Sequence, residues 1–155
     1  MSKTFHFKSF SVVLGDMRCD VNLDRFSRQY QDAQFWLDTT LFAYMEHNMP
    51  FLTGLFIKRS KAESAALAGT GKVVAGVGPM GRMLHEGKVM VNSQTGNGPM
   101  NIPGVGPRFP LGAKLVPTSR SLTYSNGRGD HWVDKTLRDH KDELVAGVKK
   151  RAGGG

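Results

Sequence analysis

The sequence predicts an α+β fold, in which a small, mostly antiparallel sheet is packed by one long N-terminal helix and by a C-terminal helix. Three observations support this prediction. Apolar residues recur every three or four positions over residues 23–48, several short β-rich segments follow, and a second helical pattern ends near residue 152. The 155 residues fit a single domain, residues 1–155. A chain of this length buries roughly 70% of its unfolded surface, which is enough for a core without disulfide bonds.

The first element, residues 5–14, mixes aromatic and β-branched residues with polar ones in an imperfect alternation. We interpret this segment as a strand or an extended arm, and the arm would take in residues 1–14.

The second element is a long helix over residues 23–48. Asn22 is its expected N-cap, and Pro50 is expected to end it because the residue before a proline avoids helical angles. Phe35, Trp36 and Phe42 add apolar surface beyond the main stripe, so they are candidate subunit-interface residues. Packing inside the same subunit is the equally weighted alternative. The main stripe consists of Leu23, Phe26, Tyr30, Ala33, Leu37, Leu41 and Tyr44.

Short strands and one short helix are expected in the middle of the chain. Pro79 fits the first turn of a helix that runs to about Glu86, and Gly87 fits the C-cap of that helix. Residues 62–68 form either a short helix or the continuing arm of a hairpin. The expected strands cover residues 52–60, 72–77 and 88–91.

Residues 92–119 are predicted to form a long Gly/Pro-rich loop. They contain five of the seven prolines and show neither a helical nor a strand period. A loop this long inside a compact domain is usually functional or disordered. Its apolar residues favour docking on another subunit, and they are Ile102, Val105, Phe109 and Leu111.

The chain closes with a short strand over residues 121–125 and a helix that ends at about Ala152. Asp130 is the expected N-cap of this helix. Asp134 in its first turn and basic residues 149–151 in its last turn suit the helix dipole. Residues 153–155 are expected to fray.

Composition restricts the classes of function. The net charge of +8 can favour a nucleic acid or an acidic partner, and it can equally serve solubility alone. Cys19 is the single cysteine, so no disulfide can form within the chain. At this position we favour a buried or partly buried small side chain over a reactive thiol. The sequence shows no signal peptide and no apolar stretch near the ~20 residues of a membrane span. We therefore expect a protein made in a reducing compartment, with no membrane partner.

No segment carries the pattern of a catalytic, metal or cofactor site. Residues 76–81 fit G-x-G-x-x-G, but no acidic residue follows at the end of a next strand. Residues 69–72 are similar to the end of a phosphate loop, but Val73 replaces the Ser or Thr that would bind magnesium. The five histidines lack zinc spacing. We expect a protein that is not an enzyme and that uses no cofactor or metal.

Three short motifs remain, and each predicts a fixed point of a scaffold: a helix stop, a short helix between strands, and an anchored last helix. The motif residues are Pro50, Thr53 and Gly54, then Pro79, Arg82, Glu86 and Gly87, and finally His131 and Trp132. Their order and spacing, over nearly the whole chain, resemble those of phage proteins called minor capsid proteins, which sit at the head-to-tail joint of long-tailed phages.

The resemblance implies a structural virion protein that is made in the host bacterial cytoplasm and placed at the neck, between the DNA-filled head and the tail. Related neck and tail-completion proteins form rings, often sixfold, around a channel for DNA. The implied partners are further copies of the chain, the adjacent neck, connector and tail proteins, and genomic DNA without sequence-specific contact. A small basic nucleic-acid-binding module is the alternative function, and it predicts duplex binding with steep salt dependence.

Overall fold

The computed structural model describes residues 7–14, 17–51, 54–104, 106–124 and 127–153, and it confirms the α+β class. Within these ranges, four helices and six short strands follow one another. They are β1 (Phe10–Leu14), β2 (Met17–Val21), α1 (Asp24–Asn48), α2 (Leu55–Leu67), α3 (Gly78–Glu86), β3 (Lys88–Asn92), β4 (Met100–Ile102), β5 (Gly106–Arg108), β6 (Leu115–Ser121) and α4 (Trp132–Arg151).

The strands do not build the single small sheet that the sequence predicted. In the described part of the chain they form three separate two-stranded antiparallel ladders, β1 with β2, β3 with β6, and β4 with β5. Strand length explains the separation in part, since β4 and β5 have only three residues each and extend no further than their own pairing.

The two long helices form the main body of the molecule. α1 and α4 share the most extensive contact between any two elements. Trp36 packs on Gly147 at one end of the pair, and at the other end the Asn48 amide donates a hydrogen bond to the Thr136 hydroxyl at 3.1 Å. The helices therefore run antiparallel and pack mainly on each other, where the sequence had predicted that they pack on the sheet.

α1 has the predicted span but not the predicted N-cap. Leu23 occupies the N-cap position without a capping side chain. The Asn22 side chain instead accepts a hydrogen bond from the backbone N–H of Asp24 at 2.8 Å. At the other end, Met49 takes extended backbone angles directly before Pro50, as the proline requires.

The core lies between α1, α2 and α4 and consists mainly of Phe42, Met45, Met49, Ile57 and Trp132. Phe42 is only 4% exposed, so its proposed place in a subunit interface is corrected to the interior of the subunit.

The predicted strand over residues 52–60 is wrong where the structure describes it, because α2 begins at Leu55. The run Leu55-Phe56-Ile57 opens a helix whose buried face continues through Ser60 and Ser64 at a spacing of three to four residues. The later segment, residues 62–68, is accordingly the end of this helix.

Residues 72–77 are not a strand either. Their backbone crosses α2 and bonds to side chains, with Val74 N–H donating to Ser64 Oγ at 2.8 Å and Val77 N–H donating to Ser60 Oγ at 3.3 Å. Two buried serines thus supply the partners that a neighbouring strand would otherwise supply.

The short helix α3, its C-cap and strand β3 are confirmed. Pro79 lies in the first turn of α3, and Gly87 ends the helix in the left-handed conformation with φ 66°. β3 follows at once as Lys88–Asn92.

The predicted loop over residues 92–119 is corrected, because it contains the β4–β5 hairpin and most of β6. The sequence had predicted the last strand at residues 121–125. The observed strand, β6, runs Leu115–Ser121 and pairs with β3, so it ends where the predicted strand was to begin. Asp130 is also not the cap of α4, since His131 occupies that position with φ 49°.

Candidate assembly interface

The indole of Trp132, in the last of the three motifs, is completely buried. Its Nε1–H donates a hydrogen bond to the backbone oxygen of Ala75 at 2.7 Å. The rings of Phe56 and His85 approach it edge-on, with centroid distances of 6.0 and 4.7 Å. One side chain therefore connects α2, α3 and the segment of residues 72–77 to the start of α4.

His131 joins the same centre through its backbone. Its N–H donates to the backbone oxygen of His85 at 2.8 Å, and the two imidazole rings lie 5.5 Å apart. Asp130, beside it, forms an ion pair with Lys135 at 3.0 Å. The hydrogen bond from Lys135 lowers the pKa of the Asp130 carboxyl below its usual range, with a smaller contribution from His131. The carboxylate is thus charged and engaged in a structural contact.

The other motif residues have structural positions as well. Pro50 follows α1, and Gly54 is the N-cap of α2 with φ 74°. Arg82 and Glu86 form an ion pair one helical turn apart at 2.6 Å on the surface of α3. Thr53 lies outside the described residues. The described motif residues of this group therefore lie at helix ends and on a helix surface.

The two glycine motifs are occupied by packing contacts. A Cβ at Gly81 would lie 2.8 Å from the backbone oxygen of Gly76, so the two segments touch where a dinucleotide would need room. At the other motif, the buried carboxylate of Asp38 accepts hydrogen bonds from the N–H groups of Gly69 and Gly71 at 2.8 and 3.0 Å. Amides that already bind a carboxylate are not free to bind a phosphate.

The candidate interface residues fall into distinct groups. Phe35 is 55% exposed and remains available at the surface, whereas Trp36 is half-buried against α4. Trp36 is therefore placed within the subunit, together with Phe42. In the second half of the chain, Ile102 and Leu111 are exposed, Phe109 is half-buried, and Val105 lies outside the described residues.

The β1–β2 hairpin, which we call the arm, has one apolar face. The register pairs Phe10 with Val21 and Val12 with Cys19, and Met17 follows on the same side as Cys19. Ser11, Val13, Arg18 and Asp20 alternate with these residues on the opposite face. Phe10 is 52% exposed and Met17 is 73% exposed, so the apolar face is not covered by its own subunit.

The base of the arm is fixed to the first turns of α1. The hydroxyl of Ser9 accepts a hydrogen bond from the N–H of Leu23 at 3.0 Å, and the buried hydroxyl of Ser27 accepts one from the N–H of Phe7 at 2.9 Å. The ring of Phe7 also packs edge-on against Tyr30. The arm consequently projects from a defined point of the helical body.

The sequence analysis missed β2, although a signal was present. Met17, Cys19 and Val21 alternate strictly with Arg18 and Asp20, and the pair Gly15-Asp16 separates this run from the apolar run before it. Two alternating runs separated by such a pair are a hairpin signal.

A cleft of about 310 Å³ lies near the C-terminal end of α1. Phe51, Gly54 and Ile57 form its apolar part, and the guanidinium of Arg128 lies 5.8 Å from the centroid of the Phe51 ring. Its remaining lining residues are Glu46, His47 and Lys58. We call this site the cleft.

Basic residues collect where α1 begins and α4 ends. A Cβ at Gly153 would lie 3.5 Å from Oε1 of Gln29, and the Arg151 guanidinium lies 4.2 Å from the centroid of the Trp36 ring. Exposed residues at this end include the cations Arg25, Arg28, Lys149 and Lys150 and the carboxylates of Asp24 and Asp32.

No known protein family, curated protein or solved structure matches this chain. Among the described residues, no helix is long and apolar enough to span a membrane. The same part of the chain contains no group of three or more His, Cys, Asp or Glu residues arranged to bind a metal ion.

Proposed function

We propose that this chain is a structural virion protein of the phage neck. It joins the DNA-filled head to the tail as one member of an oligomeric ring around the DNA channel. The order and spacing of the three motifs support the location, through their resemblance to minor capsid proteins.

The observation that carries the assembly role is the exposed apolar face of the arm. An isolated two-stranded hairpin is at best marginally stable in water, and exposed apolar patches usually mark interaction sites. A face containing Phe10, Val12 and Met17 is therefore best explained by a protein surface that covers it after assembly.

The proposed mechanism is geometric. Rigid helical subunits associate with one another in a ring, for which sixfold symmetry is our expectation, and exposed segments contact the adjacent connector and tail proteins. DNA passes through the ring without base-specific contact. The subunit works without substrate, cofactor or membrane.

Electron microscopy of particles made without this gene tests the proposal. Filled heads beside separate, complete tails are the expected result, and plasmid-supplied wild-type protein should restore joined particles. Normal joined particles in the absence of the gene would overturn the neck assignment.

A small basic nucleic-acid-binding module is the second candidate, and the cluster of cations at the end of the α1–α4 pair favours it. Arg25 and Arg28 belong to the start of α1, and Lys149 and Lys150 to the end of α4. Titration of purified protein with duplex DNA at several salt concentrations tests this candidate. Neutralising about four phosphates predicts a slope of about −3.6 in log K against log salt. Arg25→Gln combined with Lys149→Gln should reduce that slope by about half.

A further inference from the structure

Two cations on the wall of the cleft have no carboxylate partner. Lys58 is exposed near the start of α2, and Arg128 reaches the cleft, half-buried, from the segment before α4. Within the described residues neither side chain forms an ion pair. Glu46 is the one carboxylate among the lining residues, and it pairs at 2.8 Å with Lys61, which lies outside the lining. The cleft therefore has an excess of positive charge.

The guanidinium of Arg128 is positioned by an aromatic ring. It lies 5.8 Å from the centroid of the Phe51 ring, within the range of a cation–π contact. A guanidinium that stacks on an aromatic face still donates from its edge, because its five N–H groups lie in one plane. A carboxylate that enters the cleft can accept two parallel hydrogen bonds from such an edge.

The cleft has room for more than a single carboxylate. Its volume is about 310 Å³, and a cavity of about 150 Å³ is sufficient for a benzene ring. The ring of Phe51 belongs to its lining and is 53% exposed, so an apolar surface lies beside the two cations. A ligand that fits this lining carries an acidic group and an apolar group next to each other.

An acidic peptide fits these features better than a nucleic acid does. Duplex DNA carries one charge per ~1.7 Å of its axis, and proteins bind it with cations spread along a stripe or patch. The cleft instead has two cations without ion pairs and, beside them, the carboxylate of Glu46, which repels further phosphates. A peptide can place one carboxylate at the cations and one apolar side chain on Phe51, in the proportion that the lining offers.

We propose that the cleft binds a short acidic peptide segment of a partner protein. A carboxylate of the segment pairs with Lys58 and Arg128, and a neighbouring apolar side chain packs on Phe51. The inference rests on the proposed function only for the identity of the partner, an adjacent connector or tail protein of the neck. The binding itself is a property of the purified chain and is tested there.

Titration of the isotope-labelled chain, followed by the NMR signals of its backbone amides, tests the binding with a defined probe. The probe is the end-blocked peptide Gly-Asp-Phe-Glu-Gly, and the control is Gly-Asn-Phe-Gln-Gly, which has nearly the same shape without the charges. The acidic peptide should shift the amide signals of Phe51, Gly54, Lys58 and Arg128 in a saturable way. The neutral peptide should bind about tenfold more weakly, because it loses the charge-assisted hydrogen bonds.

Two neighbouring cations of α2 provide a matched comparison. Lys58 lines the cleft, whereas Arg59 is exposed but does not line it. Lys58→Gln should weaken binding of the acidic peptide about threefold, as expected for an exposed ion pair, and Arg59→Gln should leave it unchanged. Lys58→Arg keeps the charge and should keep the binding. Arg128→Gln should weaken binding about tenfold, because a half-buried guanidinium makes stronger hydrogen bonds to a carboxylate.

Three results of these titrations would overturn the inference: no saturable shift around the cleft, equal affinity for the acidic and the neutral peptide, or equal effects of Lys58→Gln and Arg59→Gln. A short DNA duplex that shifts the same amides at a lower concentration than the peptide would also overturn it and would assign the cleft to nucleic acid. None of these results decides the neck assignment, which depends on the particles made without the gene. Conversely, saturable and charge-dependent binding of the acidic peptide would support the site even if those particles were normal.

Discussion

The side chain of Trp132 connects three separate segments of the molecule to the start of α4. Its indole is fully buried, donates to Ala75, and packs against rings from α2 and α3. Because one residue satisfies hydrogen bonding and packing for three segments, its loss affects all of them together.

Trp132→Ala should lower the free energy of unfolding by about 3–5 kcal/mol, the usual cost of removing a large buried aromatic side chain. Trp132→Phe should cost less, because it keeps an aromatic ring and loses chiefly the hydrogen bond to Ala75. Urea unfolding measures both. Trp36→Ala, at the half-buried tryptophan, serves as the comparison. An unchanged midpoint for Trp132→Ala would contradict the role given to the indole.

Ionisation of Tyr124 should lower the free energy of unfolding at alkaline pH. Burial raises the pKa of Tyr124 from 10.0 to about 12, helped by the nearby Asp130 carboxylate. The hydroxyl also donates a hydrogen bond to the backbone oxygen of Leu84. The folded state keeps a proton that the unfolded state releases. The contribution of Tyr124 to stability is therefore fully present below pH 10 and is lost as pH rises toward about 12.

The measurement is the urea midpoint at a series of pH values across that window for wild type and Tyr124→Phe. Phenylalanine has no hydroxyl proton, so the variant should lose less stability than wild type between pH 10 and about 12. Parallel curves for the two proteins would show that the Tyr124 proton is not linked to folding.

The residues that the sequence placed correctly are those with a strong local preference. Pro79 at the start of α3 and Gly87 at its end act through backbone angles that their own residue types prefer. Asp38 and Ser60 were not identified as buried, because a polar residue in a sequence looks like a surface residue. Their burial depends on partners 17 to 33 positions away, at Val77, Gly69 and Gly71.

Among the elements, the least predictable were those whose local preference opposes their tertiary contacts. Leu55-Phe56-Ile57 is typical of a strand, yet it opens α2. In the helix, Ile57 lies on the same buried face as Ser60 and Ser64, which bond to the segment of residues 72–77. α1 was predictable because its apolar stripe repeats over 25 residues, long enough for one period to dominate.

The packing of α1 on α4 depends on Gly147. A Cβ at this position would lie 2.0 Å from Cη2 of Trp36, so any larger residue pushes the helices apart. Gly147→Ala should destabilise the protein by about 1–3 kcal/mol through overpacking. That loss should appear although alanine is intrinsically better in a helix by about 1 kcal/mol.

The control for this prediction is the same substitution beside a shortened side chain. In a Trp36→Ala background the clash is gone, so Gly147→Ala should stabilise the helix instead. Thermal unfolding of the four proteins in this double-mutant cycle gives the coupling energy. Additive effects would show that the Trp36–Gly147 contact does not limit the approach of the helices.

At the scale of the whole molecule, the arm should change its susceptibility to proteases on assembly. Arg18 in β2 has an exposed side chain in a hairpin without a further strand among the described residues, so trypsin should cut there in the free subunit. The cut should be suppressed in assembled particles. Lys72, exposed in an irregular segment of the body, is the comparison site. Equal protection of Arg18 in both states would contradict a buried arm.

The candidate interface was only partly predictable for a physical reason. An apolar residue in a sequence reveals that it needs to be covered, but not whether its own subunit or a neighbour covers it. Phe42 and Trp36 are covered by the subunit itself, whereas Phe35 and Leu111 are not. The apolar face of the arm could be assigned only from the pairing register of β1 with β2.

The antiparallel contact of α1 with α4 has a consequence for synthesis on the ribosome. Tyr44 bonds to Glu143, Asn48 to Thr136, and Ala75 to Trp132, so each of these contacts requires the last helix. A nascent chain that has not yet released α4 leaves Phe42, Met45 and Met49 without a main part of their cover. Folding is therefore expected to wait until α4 has left the ribosome, and chains arrested before that point would be substrates for chaperones and proteases before they could meet another subunit.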